Sequence, residues 1–295
     1  MKAYAPGIYP RSEALIQATR DLDRGRASVE DVERLRAADL DALITAESEA
    51  GFDLLSDGML AWQDLFRPLA DASEGLEPGA LTRFLDTNTF FRAPHATGSP
   101  RLSGPLGTDA VADLDGPRLV TLPSPYAFGE AAGIDPRKVA ASVLAPAVEA
   151  LDAELLVLVE PFLAREPGPD IAALGDALSQ LPARGTLVLQ LTFGDASPVL
   201  EGLADLPVGG IGVDFYLTPL EAVPEGFPKL LLAGVVDARS SQVEDAAALA
   251  RFAGRLDERT SGELALVPNG DLQFVAEPIA RRKLAALGEA RRLAA

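Results

Sequence analysis

Seven short runs rich in Val, Leu and Ile, mostly ending on a turn residue or an acid, constrain this chain more than any other feature: "FDLLSDG", "PRLVTLPSP", "ELLVLVEP", "GTLVLQLTFGD", "GGIGVDFYL", "KLLLAGVVDAR" and "GELALVPNGD". Runs that are apolar almost without interruption suit strands covered on both faces, the condition of a parallel sheet. An opening apolar stretch around Ala3 to Ile8 makes eight. Helix candidates lie between them: Asp135 to Leu151, Asp170 to Leu181, Ser197 to Leu206, Ser241 to Leu256 and Val275 to Leu293. A long amphipathic region from Ser12 to Ala50 contains the N-cap pattern Ser28 with Asp31, and Gly51 stops it. Eight strands with mostly helical crossovers predict an α/β fold, a (β/α)8 TIM barrel occupying 1–295 as a single domain. A doubly wound open sheet uses the same segments, but would normally be shorter or carry a second domain. The poorly periodic region 69–116, after the second strand, is long for a barrel loop and is expected to be an insertion or lid over one end.

Composition removes whole classes of function. The chain has no cysteine, which excludes disulfides, thiolate zinc sites, iron–sulfur clusters and cysteine nucleophiles. A formal net charge of -18 opposes binding to phosphate backbones, so no nucleic acid partner is expected. No run of about eighteen apolar residues suggests a membrane span, and "MKAYAPGIYPRSE" lacks the order of a signal peptide; a cytoplasmic protein is the expectation. His95, the single histidine, makes neither a zinc site nor a triad and is read as a surface residue.

In a barrel of this class the site lies at the carboxyl ends of the strands, where a small-molecule ligand would bind. The last polar residues of the runs are Asp57, Ser124, Glu160, Asp195 or Thr192, Asp214, Asp237 and Asn269. Two readings compete for them: acids opening into a shared pocket, or acids capping the turn that follows, at about even odds for any one position. If Glu160, Asp214 and Asp237 converge, they favour a cationic or amino-bearing ligand or a hard metal such as magnesium or manganese.

The segments "GIYPRSEALIQATRDLDRGRAS", "EAGFDLLSDGMLAWQDLF", "LTRFLDTNTFFRAP", "VEPFL", "GVVDAR" and "VPNGDL" occur in an order that resembles the cobalamin-independent methionine synthases. The resemblance covers almost the whole chain, whose length corresponds to one of the two related barrels with which that family transfers a methyl group from methyltetrahydrofolate to homocysteine. "TRFLDTNTFF", "LAWQDLF" and "GVVDARSSQVED" are similar to stretches of the family's zinc-free amino-terminal barrel. The resemblance implies a methyltransferase-like protein with methyltetrahydrofolate or a sulfur amino acid as ligand. It also assigns the family's zinc-binding His-x-Cys pair to Leu191 and Phe193, its Glu to Asp214 and its late Cys to Gly270, so zinc is not expected. The family's serine in Gly-Ser-Phe-Pro is Ile8, and its substrate-binding glutamate is Met59.

The substrate-binding candidates are therefore Arg11, Asp57, Trp62, Asp64, Asp86, Asn88, Glu160, Asp214, Asp237, Arg239 and Asn269, with no catalytic residue assigned. Arg11 and Arg239 could hold a ligand carboxylate, or form ion pairs with Asp57 or Asp237. Trp62, Phe90 and Phe91 could face a flat ring, although core packing is the stronger expectation. Three functions follow: a methyl-transfer protein, with a protein partner supplying a metal or methyl group; a binding or regulatory barrel without chemistry; or a carboxylate-metal enzyme.

Overall fold

The structure is a computed structural model that describes residues 1–104, 106, 110–182 and 184–294. Its strands are β1 (Lys2–Ala3), β2 (Ser73–Arg83), β3 (Phe90–Leu102), β4 (Leu119–Pro123), β5 (Leu155–Glu160), β6 (Thr186–Leu191), β7 (Gly210–Asp214), β8 (Leu230–Val236) and β9 (Leu264–Pro268). Seven of them form one parallel sheet in the order β1-β9-β8-β7-β6-β5-β4. Six of the seven apolar runs become its strands β4 to β9, and β4, β5, β7 and β9 are buried along their whole length.

Alternate residues of β4, β5, β6, β8 and β9 serve two different cores. Leu156 and Leu158 of β5 join the large cluster under the helices, whereas Leu155 and Val157 face a second cluster with Tyr4, Leu54, Leu119, Val188, Leu232, Ala265 and Val267. Side chains from so many strands meet at one centre only when the sheet is curled, with this second cluster inside the curl. Burial on both faces is what selects the unbroken Val and Leu runs.

The sheet has seven strands rather than the eight expected. "FDLLSDG" forms no ladder; it is joined to its neighbours by an isolated parallel bridge, Leu55 to Arg118, and by a few main-chain bonds: Asp53 N to Ala3 O at 3.4 Å, Leu55 N to Pro117 O at 3.1 Å and Leu119 N to Leu55 O at 2.9 Å. The reason lies in competing acceptors. Ser56 gives both its amide (2.9 Å) and its hydroxyl (2.7 Å) to the buried Glu47 carboxyl, and Asp53 takes the Ala3 amide at 3.1 Å while pairing with Arg291 at 2.7 Å. Side chains thus hold this segment where a neighbouring backbone would hold a strand. The opening strand is also shorter than Ala3 to Ile8, because Gly7 at φ +92° turns the chain and the Gly7 and Ile8 amides go to Thr121 Oγ1 and Asp271 Oδ1 (both 3.1 Å).

Helices form where the caps place them. Ser12 caps Glu13–Asp23, and Ser28 with Asp31 makes a reciprocal capping box for Val29–Ala50, which ends on Gly51 in the left-handed region. The expected helix over 135–151 is interrupted by a π segment, Ala140–Leu144, just before Pro146, whose ring nitrogen cannot donate to the preceding turn. The region 69–116, expected to be aperiodic, contains the short helix Arg67–Asp71 at its start and a long antiparallel hairpin, β2 with β3. Among the described residues no helix is long and apolar enough to cross a membrane.

Burial pushes the Glu47 carboxyl up to about 8, against the opposing pull of its bonds from Ser56. Its folded value lies above its unfolded one, so the native state holds the extra proton between about pH 4.5 and 8 and loses stability as pH rises through that window. Thermal melting from pH 5 to 8 should show a falling Tm in the wild type and a shallower fall in Glu47→Gln. Parallel pH profiles for the two proteins would sink this assignment.

Candidate active site at the carboxyl ends of the strands

Each strand-end acid is first of all the cap of its own turn. One carboxylate oxygen accepts the backbone N–H two residues on, at 2.9 Å in every case: Asp57 from Met59, Glu160 from Phe162, Asp195 from Ser197, Asp214 from Tyr216 and Asp237 from Arg239. The second oxygen decides what else the residue does. In Glu160, fully buried, it accepts the Ser124 hydroxyl, while the first oxygen also takes Leu163 N at 3.0 Å; burial raises this carboxyl above its ordinary range. Asp57 uses its second oxygen on Ala112 N at 3.0 Å, and burial raises it as well. Capping accounts for Glu160 and Asp57 where a shared pocket was the rival explanation.

Asp214 differs. Its Oδ1 accepts Tyr216 N and, at 3.1 Å, Asn269 Nδ2, but its buried Oδ2 has no hydrogen-bond partner among the described residues. Burial pushes this carboxyl up to about 6. Asn269 completes the link by accepting Ala238 N at 2.9 Å, so the ends of β7, β8 and β9 are tied by one side chain. Asp237 stands beside them, its amide held by Glu244, which also accepts the Tyr216 hydroxyl (3.1 Å) and pairs with the fully buried Lys283 at 2.9 Å.

The remaining candidates fall into separate groups. Trp62 is fully buried, donating to Ala110 O at 2.7 Å, and its carbonyl accepts Arg11 Nη2 at 2.8 Å; neither Asp57 nor Asp237 pairs with Arg11. Arg11 lines a rim cavity of about 580 Å³ with Tyr9, Arg20 and Glu277. Asp64 takes Phe66 N and Arg67 N (2.9 Å each) on one oxygen and Arg92 N (3.1 Å) on the other, fastening the hairpin to the short helix. Asp86, at the hairpin tip, meets Arg239 at 3.2 Å and Arg165 at 3.7 Å; Asn88 in the same turn is exposed. Phe91 is buried, Phe90 and His95 are exposed.

The centre of the mouth is aromatic. Phe193, at φ +56°, lies against Gly270 so closely that a Cβ there would sit 2.3 Å from its ring. Phe193 packs edge-on against Phe274 (5.4 Å), Phe274 stacks on Phe84 of the hairpin turn (6.1 Å), and Phe84 meets Phe91 (5.9 Å). The guanidinium of Arg239 rests on Phe193, 4.6 Å from the ring centre. At the positions that the resemblance gives to zinc ligands, Leu191, Phe193 and Gly270 offer no side-chain donor atom, leaving Asp214 alone; this set does not fit a thiolate zinc. Glu160, Asp214 and Asp237 do not gather around one ion either: among the described residues no group of three or more His, Cys, Asp or Glu side chains could hold a metal.

Sequence reasoning missed Arg165, whose Nε donates to Phe193 O at 2.9 Å, and Asp271, whose buried carboxyl holds Ile8 N and is pushed up by burial to about 6. Asp271 was within reach, since it follows "VPNG" by one position. Arg165 lies past a strand end in a single 3-10 turn, Leu163–Arg165, too short to leave a periodic signal.

No family model matches the chain. In sequence it is similar to 5-methyltetrahydropteroyltriglutamate–homocysteine methyltransferases: 29% identical over 209 residues to that of Mycobacterium tuberculosis, covering 63% of this chain and 27% of the relative, and 39% identical over 88 residues to that of Mycobacterium leprae, covering 28% and 12%. The chain therefore matches no more than 27% of the length of these relatives. Its fold is shared with a B12-independent methionine synthase from Shewanella sp. W3-18-1 solved with selenomethionine, at TM-score 0.77 and 14% identity over 99% of this chain and 97% of that one. A putative vitamin-B12 independent methionine synthase from Listeria monocytogenes gives TM-score 0.72 and 18% identity, covering 100% of this chain and 96% of that one. The resemblance to cobalamin-independent methionine synthases thus holds in sequence and in fold.

The contact between Phe193 and Gly270 makes a measurable claim. Gly270→Ala should cost about 1–3 kcal/mol by overpacking, read as a drop in denaturation midpoint. Combined with Phe193→Leu, which vacates the space, it should cost markedly less than the sum of the two single changes; additive losses would mean the two residues do not meet.

Proposed function

We propose that this chain is a methionine-synthase-like protein of methyl-transfer metabolism, binding a folate-like methyl donor or a sulfur amino acid at the carboxyl ends of its strands without a thiolate zinc site of its own. One observation carries the reading: the whole chain shares its fold with a methionine synthase that holds a methionine analogue, while its sequence is similar to homocysteine methyltransferases. Within the site, the buried Asp214 Oδ2 without a partner is the atom best suited to accept a ligand ammonium, because an unpaired buried acceptor is costly and an incoming N–H donor relieves that cost. In this reading residues 1–295 form a single barrel, segment 52–58 takes the place of its second strand, supported by Leu54 in the interior cluster, and 69–116 is an insertion covering the mouth.

A second reading is favoured by the aromatic mouth. Phe193 lying on Gly270 puts carbon where the resemblance calls for thiolates, which suits a ligand-binding or regulatory barrel that has lost the chemistry. Methionine formed from methyltetrahydrofolate and homocysteine by the purified, metal-analysed protein would contradict that second reading.

Calorimetry with methyltetrahydrofolate, homocysteine and methionine tests the first. Saturable binding of at least one is expected, and silence from all three would remove the proposal. For an amino-acid ligand, Asp214→Asn should weaken binding roughly 10- to 100-fold, the loss of a charge-assisted hydrogen bond. Affinity should also fall as pH drops through about 6, where Asp214 takes up its proton; a flat profile would move the ammonium elsewhere.

A further inference from the structure

Asp86 occupies an unusual position. It comes from the hairpin turn, yet its Oδ1 lies 3.2 Å from Arg239 and 3.7 Å from Arg165, two arginines supplied by the loops after β8 and β5. Phe193 fixes both: its carbonyl accepts Arg165 Nε at 2.9 Å, and its ring carries the Arg239 guanidinium. The pair is thus held in place by contacts other than Asp86. The turn that carries Asp86 is likewise closed by its own bonds, Phe84 N to Thr89 O (2.8 Å), Thr87 N to Phe84 O (3.1 Å) and Arg83 Nη2 to Asp86 O (3.3 Å). Removing the Asp86 carboxylate from the arginines therefore dismantles neither side, and its side chain is 66% exposed.

Arg165 also lines a groove of about 650 Å³ between the hairpin and the loop after β5. Leu85, Phe91, Ala93, Ala131 and Phe162 give it apolar walls, while Glu130 and Glu166 stand in the same groove, with Glu166 accepting the Tyr126 hydroxyl. These two acids repel a second anionic group. Arg83 lines the groove too, its guanidinium donating to the Thr87 and Asp86 carbonyls. Apolar walls, with Arg165 at the groove and Arg239 just beyond its lining, define a ligand with a flat or apolar body and a carboxylate at one end.

We infer that this groove and the arginine pair beside it form a binding site for an aromatic or apolar monocarboxylate, and that Asp86 occupies the pair until the ligand carboxylate takes its place between Arg165 and Arg239. The assignment goes beyond the methyl-transfer reading and does not depend on it. The probe is hippurate, a benzoyl ring with one carboxylate, compared with its neutral amide; a folate tail carries the same benzoyl-amino-acid unit, so the two proposals are separated by the tighter binding to Asp86→Asn, which the methyl-transfer reading does not call for.

Titrations followed by ligand-observed NMR should show hippurate binding and no binding of the amide. Asp86→Asn, which removes the competitor but keeps the turn, should tighten hippurate about fivefold, and Arg165→Gln should weaken it at least tenfold, as loss of a charge-assisted contact demands. The gain in Asp86→Asn cannot come from misfolding. Hippurate binding to Asp86→Asn no more tightly than to wild type, failing to bind Asp86→Asn at all, or binding no better than its amide overturns the inference.

Discussion

A parallel strand that ends at the mouth of a curled sheet leaves amides in its following turn without a ladder partner, and they must be satisfied before the turn can be buried. In this chain that need is met by carboxylates. Asp57, Glu160, Asp195, Asp214 and Asp237 all reach forward to the amide two residues on, and Asp271 reaches across to Ile8, just past the Gly7 turn that follows the first strand. Bonds of this kind to a charged group contribute about 1.5–3 kcal/mol each when made and cost a comparable desolvation when lost. The acids that end the apolar runs are therefore part of the fold before they are part of any site. What distinguishes Asp214 is the oxygen left over after the turn has been served.

Most of the sheet was legible because burial on both faces leaves so plain a signature: "ELLVLVEP" and "KLLLAGVVDAR" can hardly be anything but interior strands. "FDLLSDG" carries the same apolar signature and still fails to pair along its length, because Glu47, a residue of the preceding helix, takes the Ser56 amide. Apolar patterning reports where side chains go and is blind to which acceptor an amide chooses. The hairpin escaped detection for the opposite reason. Residues such as Glu77, Ala80 and Arg92 face solvent along β2 and β3, so no alternation survives to be read. At the mouth, the list of strand-end residues was recoverable one strand at a time, but the groups they join were not. Arg165, Phe193 and Asp86 come from different loops, and only the folded chain makes neighbours of them.

Phe193 concentrates several of these departures in one residue. Its left-handed backbone turns the carbonyl towards Arg165 and lays the ring on Gly270, where no larger residue fits without displacement. The phenylalanines that follow, Phe274, Phe84 and Phe91, continue the ring contacts out into the hairpin, so the mouth and the hairpin share one apolar seam. The same residue also holds the two guanidinium groups that meet Asp86, Arg165 through its carbonyl and Arg239 on its ring.

The curled sheet is held by six ladders, whereas segment 52–58 is held by the Leu55 to Arg118 bridge, a few main-chain bonds and clasps from Glu47, Asp53 and Arg291. Ladders resist stretching together, residue after residue, whereas clasps let go one at a time. Segment 52–58 therefore rests on bonds that can be lost individually, whereas the Asp214 end of β7 stands between two full ladders.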